Sequence, residues 1–278
     1  MIMNRKETLA LLRQFNIRLN HSLGQNFLID ERIIGRICQV ADLSPADLVI
    51  EIGPGLGSLT RELARLAGRV IAIEIDRQML PALEQALDGF PNCQVMHADA
   101  LDIDLASVTA GWTGPVKVVA NLPYYITTPL IMKILGELPG CSEMVLMIQK
   151  EAADRVMARP GCKQYGPLTV LAASIGTVSR AIDVPAASFF PIPHVDSCVI
   201  RINAAGRLQI SDWPAYSRFL ESCFAQRRKT LINSLKSAGY GPERIARLSS
   251  RLDELELGGN ARAERLTREE FLDIYHSL

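Results

Sequence analysis

From Leu48 onward the chain alternates short runs of apolar, often β-branched residues with longer amphipathic stretches. This alternation predicts strand–helix–strand units built around a parallel sheet. The predicted strands cover residues 49–52, 70–75, 94–97, 116–120 and 144–148, and the predicted helices between them cover residues 58–67, 78–87 and 128–138. Two later segments, 180–184 and 198–202, alternate in the way expected of an antiparallel pair that closes the sheet.

The strand pattern ends near Ile202, and only helical periodicity follows it. Residues 203–206 are predicted to be a linker, and helices are expected near residues 214–225, 229–238 and 242–252. A last helix is predicted after Thr267, because Thr267 and Glu270 have the spacing of a capping box. The pattern therefore predicts an α/β domain over residues 1–205 and a small all-α domain over residues 206–278.

The composition is that of a globular chain with a large core. Of its 278 residues, 48% are hydrophobic and 22% are charged. No apolar run approaches the roughly 20 residues that a membrane span needs, and the basic N-terminal segment lacks the apolar block of a signal peptide. A cytoplasmic protein without a membrane partner is expected. The six cysteines show neither C-x-x-C nor a matching histidine spacing, so no metal site is predicted and the thiols are expected to be reduced.

The formal net charge is zero, so the whole molecule has no overall attraction for a polyanion. A nucleic-acid partner would have to be held by local basic patches. Two are present: residues 1–36 hold six Arg or Lys against three Asp or Glu, and Arg227, Arg228 and Lys229 are consecutive. Because a charge run is usually a solvated face, charge alone does not decide for RNA binding.

A glycine loop, residues 51–57 with the sequence EIGPGLG, joins the first strand to the following helix. The spacing is G-x-G-x-G rather than the G-x-G-x-x-G of dinucleotide-binding proteins. Glu74 is at the end of the second strand, and Asp99 and Asn121 follow the third and fourth, so four strands bring polar groups to the carboxyl edge of the sheet. Glu74 is predicted to accept hydrogen bonds from ribose hydroxyls, and Asp99 from an adenine amino group.

The segment Asn121, Leu122, Pro123, Tyr124 matches the Asn-x-Pro-aromatic loop of methyltransferases that act on exocyclic amino groups of bases. Such an amine is a poor nucleophile until acceptors hold its hydrogens and turn its lone pair toward the methyl group. The Asn121 side-chain oxygen and the Leu122 carbonyl are the predicted acceptors, Pro123 stiffens the loop, and Tyr124 would stack on a flipped base. Phe189, in the proline-rich segment 189–197, could place a second ring against that base.

Together these segments resemble the small-subunit ribosomal RNA adenine dimethyltransferase family from about residue 14 to the C-terminus. The resemblance is carried by residues 23–28 (LGQNFL), the glycine loop, Glu74, Asp99, residues 121–124, residues 149–151 (QKE), the F-x-P-x-P-x-V-x-S pattern of 189–197 and residues 224–231 (FAQRRKTL). His194 departs from this pattern, because relatives often have Lys there; it would contribute less affinity for phosphate near neutral pH.

The resemblance implies a Rossmann-like class I S-adenosylmethionine methyltransferase domain with a small helical C-terminal domain. It implies that the cofactor contacts Asn26, Leu28, Gly53, Glu74, Asp99 and Asn121, with Asn121, Leu122, Pro123, Tyr124 and Phe189 around the target adenine. The implied substrate is a pair of adjacent adenosines in a hairpin loop near the 3′ end of small-subunit rRNA in an assembling subunit. Arg227, Arg228 and Lys229 would face RNA phosphates, and the protein is expected to be a monomer.

Three alternatives remain at this stage. A large-subunit rRNA methyltransferase of the macrolide-resistance type shares the Asn121 loop, but residues 224–231 argue against it. A non-catalytic RNA-binding assembly or transcription factor on the same fold would be indicated by a degraded glycine loop or Asn121 loop, and both are intact. A nicotinamide-dependent dehydrogenase is disfavoured by the glycine spacing.

Overall fold

The fold was obtained as a computed structural model that describes residues 5–20, 24–138 and 140–278. Leu23, the first residue of the segment 23–28, lies outside the described residues. The strands are β1 Phe27–Leu28, β2 Leu48–Ile52, β3 Arg69–Glu74, β4 Cys93–His97, β5 Val116–Asn121, β6 Glu143–Gln149, β7 Thr177–Val184, β8 Phe189–Phe190 and β9 Ser197–Asn203. The helices are α1 Arg5–Gln14, α2 Glu31–Ala41, α3 Ser58–Leu66, α4 Leu80–Ala86, α5 Leu105–Val108, α6 Thr127–Glu137, α7 Lys150–Val156, α8 Pro167–Ile175, α9 Trp213–Phe224, α10 Leu231–Ser237, α11 Pro242–Glu254 and α12 Arg268–Ser277.

A seven-stranded sheet forms the centre of the molecule, in the order β4-β3-β2-β5-β6-β9-β7. The strands from β4 to β6 are parallel, whereas β9 pairs antiparallel with both β6 and β7. Every residue of β2 is buried, as expected of a strand covered on both faces by helices. The seven predicted strands and the antiparallel closure are confirmed, and the doubly covered sheet has the predicted Rossmann-like α/β arrangement.

The sequence pattern did not reveal several elements, and α8 shows why. Seven of its nine residues are buried, so it has no polar face from which a helical period could be recognised. A second correction concerns Lys229, which was predicted to begin a helix. The helix instead begins at Leu231, because the Thr230 side chain accepts a hydrogen bond from the Asn233 backbone and caps it.

The C-terminal helices pack against the sheet-covering helices through a shared hydrophobic cluster that includes Trp213, Tyr216 and Phe271. The predicted capping box of α12 is confirmed, since the Thr267 and Glu270 side chains each bond the other's backbone. The Tyr165 hydroxyl, ahead of α8, donates to the Leu266 carbonyl at 2.6 Å and joins the two regions. A division between residues 205 and 206 stays a prediction. Among the described residues, no helix combines the length and apolar character that crossing a bilayer requires.

Candidate active site

A pocket opens at the carboxyl edge of the parallel strands, the edge that the sequence predicted. The space within it, including its open mouth, is about 1030 Å³. Its walls come from β1 and the residues before it, the glycine loop, the ends of β3, β4 and β5, and the loop after β5. The predicted site residues among its lining are Asn26, Leu28, Gly53, Glu74, Asp99, Asn121, Leu122, Pro123 and Tyr124.

The glycine loop brings bare backbone to the pocket wall. Gly53 has a φ of 71°, and its N–H donates to the Ile73 carbonyl at 3.0 Å, which joins the loop to β3. Gly55 has a φ of 58°, and a Cβ there would lie 3.1 Å from the Phe27 ring. Both positions require the left-handed region that favours glycine. The loop therefore leaves room for a ligand beside the N-terminal end of α3.

Glu74 lies at the end of β3 with 5% of its surface exposed. One carboxylate oxygen accepts from the Gly55 N–H at 3.2 Å and the other from the Asp76 N–H at 2.7 Å. Burial raises the pKa of Glu74, and these backbone donors act against that rise. The two bonds orient the carboxylate and leave each oxygen with acceptor capacity for a diol.

Asp99 follows β4 on the same wall and is half-buried. Its Oδ1 accepts from the Leu101 N–H at 2.8 Å, an interaction that fixes the side chain within its own turn. The second oxygen of a carboxylate held in this way can accept from an amino group. Glu74 and Asp99 thus bring two oriented carboxylates to the same pocket.

Asn121, the last residue of β5, brings a buried polar atom without a partner to the pocket. Its Nδ2 donates to the Asn26 carbonyl at 3.3 Å, while its Oδ1 is buried and has no hydrogen-bond partner among the described residues. An acceptor buried without a donor is unfavourable unless a ligand supplies one. The next residue, Leu122, is held by the bond from its N–H to the Met147 carbonyl at 3.0 Å.

Two tyrosines stand beside this loop. Tyr124 is half-buried, and its hydroxyl lies 2.8 Å from the Ser197 Oγ. Burial raises the pKa of the Tyr124 hydroxyl, with the bond to Ser197 acting in the opposite direction. Tyr125 also lines the pocket and is 49% exposed. Sequence reasoning overlooked Tyr125, although its position directly after the Asn-x-Pro-aromatic motif was a usable signal.

The position of Phe189 does not support its predicted contact with a base. Its side chain is 1% exposed and packs in a hydrophobic cluster with Leu28 and Val199, rather than on the pocket wall. Phe189 pairs with Leu28, which lines the pocket, and the two side chains belong to the same hydrophobic cluster. Its neighbour Phe190 is half-buried and has the Arg5 guanidinium 5.5 Å from its ring centroid.

The basic residues Arg227, Arg228 and Lys229 form an exposed turn between α9 and α10, which we call the basic turn. They do not line the pocket. Arg227 has a loose ion pair with Glu264, its Nη2 lying 3.6 Å from Oε2. The described chain contains no group of three or more His, Cys, Asp or Glu residues placed to hold a metal ion.

The pocket combines a glycine loop, two oriented carboxylates and a buried acceptor next to aromatic rings.

The family model described as "Ribosomal RNA adenine dimethylase" matches residues 16–278 of this chain. The chain is 42% identical over 280 residues to "Ribosomal RNA small subunit methyltransferase A" of Moorella thermoacetica, covering 98% of this chain and 96% of that protein. A protein of the same name from Lactiplantibacillus plantarum is 40% identical, with 100% and 96% covered.

Two solved structures extend the comparison to the fold. A dimethyladenosine transferase from Plasmodium falciparum superposes with a TM-score of 0.72 at 28% identity, covering 89% of this chain and 95% of that one. The 23S rRNA methyltransferase ErmE gives a TM-score of 0.63 at 30% identity, with 91% and 99% covered. These similarities confirm the predicted class I methyltransferase fold.

Proposed function

The chain belongs to the ribosomal RNA adenine dimethylase family, and we propose that it dimethylates the exocyclic amino groups of two adjacent adenosines in small-subunit rRNA. The observation that carries this proposal is the buried, unpartnered Oδ1 of Asn121 in the pocket. An adenine amino group is a donor that can satisfy it. The target adenosines are those of a hairpin loop near the 3′ end of the RNA.

S-adenosylmethionine is the methyl donor, and the pocket residues fit it. Glu74 offers oriented carboxylate oxygens to the ribose hydroxyls, and Asp99 offers one to the adenine amino group. Gly53 brings backbone to the ligand, and Asn26 and Leu28 line the same pocket. When bound, this cofactor supplies a methyl group already activated by its sulfonium centre.

The Asn121 loop prepares the amine of the target base. The Asn121 Oδ1 and the Leu122 carbonyl accept its two hydrogens, which turns the nitrogen lone pair toward the methyl group. These acceptors also stabilise the positive charge that develops on nitrogen, so the rate comes from alignment and electrostatics. Pro123 restricts the loop, and Tyr124 offers its ring to a base flipped out of the RNA stack.

The small-subunit substrate is favoured over the large-subunit alternative by the relatives. Proteins named for the small subunit reach 42% and 40% identity over nearly the whole chain, against 30% for the 23S rRNA enzyme ErmE. We place the activity on an assembling small subunit in the cytoplasm, with the protein acting as a monomer. The intact Asn121 loop argues against a purely binding role.

The deciding experiment is transfer of labelled methyl from S-adenosylmethionine to small ribosomal subunits that lack the modification. Large subunits are treated in parallel, and the product nucleoside is identified by mass. Dimethyladenosine in the small-subunit reaction alone is the expected result. Label in the large subunit would favour the resistance-type activity, and no label in either would favour a binding protein.

Replacing Arg227, Arg228 and Lys229 together by alanine is expected to weaken binding to the small subunit and flatten its salt dependence. The logarithm of the binding constant falls as log[salt] rises, and each cation that neutralises a phosphate makes this slope steeper by about 1. The slope of the triple variant should therefore be shallower by about 2 to 3. The measurement is affinity for unmodified small subunits between low and moderate salt.

The matched control for the basic turn removes three other exposed cations from the same region: Lys236, Arg244 and Arg247 on α10 and α11. It changes the net charge equally, so it reports any effect of overall charge. Equal salt slopes for both triple variants would show that the basic turn is only a solvated face.

A further inference from the structure

Ser197 is the first residue of β9 and contacts the Asn121 loop through Tyr124, without lining the pocket itself. It is fully buried, and its Oγ is 2.8 Å from the hydroxyl of Tyr124. Its Cα pairs with Gln149 of β6 on one side and with Val184 of β7 on the other. A residue paired on both sides within a sheet has little freedom to move, so Ser197 offers the tyrosine a fixed anchor.

The neighbouring residue Asp196 strengthens this anchor. Its Oδ1 accepts from the Ala186 N–H at 3.0 Å, and its Oδ2 accepts from the Lys150 Nζ at 3.2 Å. The Asp196 carbonyl accepts from the Lys150 N–H at 3.2 Å. The bond from the Ala186 N–H and the bond and charge of the Lys150 ammonium lower the pKa of the Asp196 carboxyl. The chain entering Ser197 is therefore fixed by contacts with two other segments.

The opposite end of Tyr124 is also held. The Thr127 hydroxyl lies 3.0 Å from the Pro123 carbonyl and 3.3 Å from the Tyr124 carbonyl, which fixes the backbone that carries the ring. A tyrosine ring attached only at its Cβ can still rotate about χ1 and χ2. A hydrogen bond at the hydroxyl removes most of that freedom, because the two ends of the side chain are then both fixed.

We propose that Ser197 is a positioning residue for methyl transfer, which holds the Tyr124 ring in the orientation that stacks on the target adenine. The inference rests on the proposed function, since it concerns the same pocket. Ser197 does not line the pocket and acts only through Tyr124. A misplaced ring would leave the amine badly aligned with the methyl group, and misalignment of about 1 Å can cost up to about 100-fold in rate.

The test compares Ser197→Ala, Tyr124→Phe and the double variant, because both single changes delete the same hydrogen bond and Tyr124→Phe keeps the ring. Methyl transfer to unmodified small subunits is measured for kcat and for KM of subunit and cofactor. We expect kcat to fall about tenfold in each single variant, with little change in either KM. The double variant should be no slower than the slower single variant.

The matched control is Ser174→Ala. Ser174 of α8 is also fully buried; its hydroxyl donates to the Val170 carbonyl at 2.8 Å and lies 3.4 Å from the hydroxyl of Tyr216 on α9, and neither residue lines the pocket. Its kcat should equal that of the parent, although it loses a buried serine hydroxyl next to a tyrosine. A fall in kcat as large as that of Ser197→Ala would indicate a general packing effect and overturn the proposal.

Other outcomes separate this proposal from the proposed function. A parent protein that transfers methyl groups, with Ser197→Ala or Tyr124→Phe at the parent rate, would overturn the positioning role alone. Additive losses in the double variant would do the same, because they would show that the two hydroxyls act independently. If Ser197→Ala does not fold, Tyr124→Phe still tests the bond. A parent without activity would overturn the proposed function and this role with it.

Discussion

Replacing Asn121 by alanine is expected to reduce methyl transfer by about 100- to 1000-fold while the protein stays folded. The variant removes an acceptor aimed at charge that develops in the transition state, and losses of this kind have that magnitude. The structural cost should be small, because within the described residues the side chain makes a single hydrogen bond, a 3.3 Å contact from Nδ2 to the Asn26 carbonyl. The measurement is the single-turnover rate at saturating S-adenosylmethionine on unmodified small subunits.

Asn92→Ala is the matched control for this change. The Asn92 Nδ2 donates to the carbonyls of Ala64 and Ala67 at 2.8 and 3.0 Å, well away from the Asn121 loop in the fold. It should lower the free energy of unfolding more than Asn121→Ala does, yet leave the rate unchanged. Transfer by Asn121→Ala at the parent rate would show that the amine is held by other groups and that the assignment of this loop is wrong.

The sequence predicted the pocket well because parallel strands end at one edge of a sheet. Gly53, Glu74, Asp99 and Asn121 are far apart along the chain, yet each lies at or just after the end of a parallel strand. Once the strands are recognised from their apolar runs, topology alone brings these residues together. The strongest expectations about the site therefore needed no knowledge of side-chain packing.

The orientation of the Phe189 side chain could not be predicted in this way. Successive residues of a strand face opposite sides, so one of Phe189 and Phe190 had to face the core, and the sequence did not indicate which. The antiparallel pairing of β8 with β1 decides it: Phe189 lies opposite Leu28 in one cluster, and Phe190 lies opposite Phe27 in another. A two-residue contact between segments about 160 residues apart leaves no local signal.

The bond between Tyr124 and Ser197 was unpredictable for a related reason. Both residues belong to recognisable motifs, but each motif explained its residues locally, as a stacking ring and as the end of a proline-rich segment. Their contact depends on β9 entering the sheet next to β6 in the opposite direction. Function assigned motif by motif therefore misses residues that act through one another.

Glu51→Gln is expected to make the protein more stable at alkaline pH and to have little effect under acidic conditions. Glu51 lies in β2, lines the pocket and is 2% exposed, and its Oε2 has no hydrogen-bond partner among the described residues. Burial raises the pKa of Glu51 to about 8, with the nearby Thr60 hydroxyl acting against the rise and the charge of Glu74 adding to it. The carboxyl is therefore protonated in the folded protein at neutral pH.

The sign of the effect follows from proton binding. Between the ordinary pKa of 4.5 and about 8, the folded state keeps a proton on Glu51 that the unfolded state has released. The free energy of unfolding therefore falls as the pH rises through this window, by up to about 1.4 kcal/mol per pH unit. At pH values below this window the contribution of Glu51 to the free energy of unfolding is at its maximum. Above the window that free energy has fallen by roughly 3 to 5 kcal/mol.

Glutamine has the shape of the neutral acid and no proton to lose, so Glu51→Gln should remove this slope. Urea unfolding at pH 5 and at pH 8.5 measures it: the two proteins should have similar free energies of unfolding at pH 5, and the variant should be more stable at pH 8.5. Glu84→Gln, at an exposed position on α4, is the control and should leave the slope of the parent unchanged. Parallel pH profiles for the parent and Glu51→Gln would mean that Glu51 is ionised in the folded state, and that a donor in the pocket stabilises its charge.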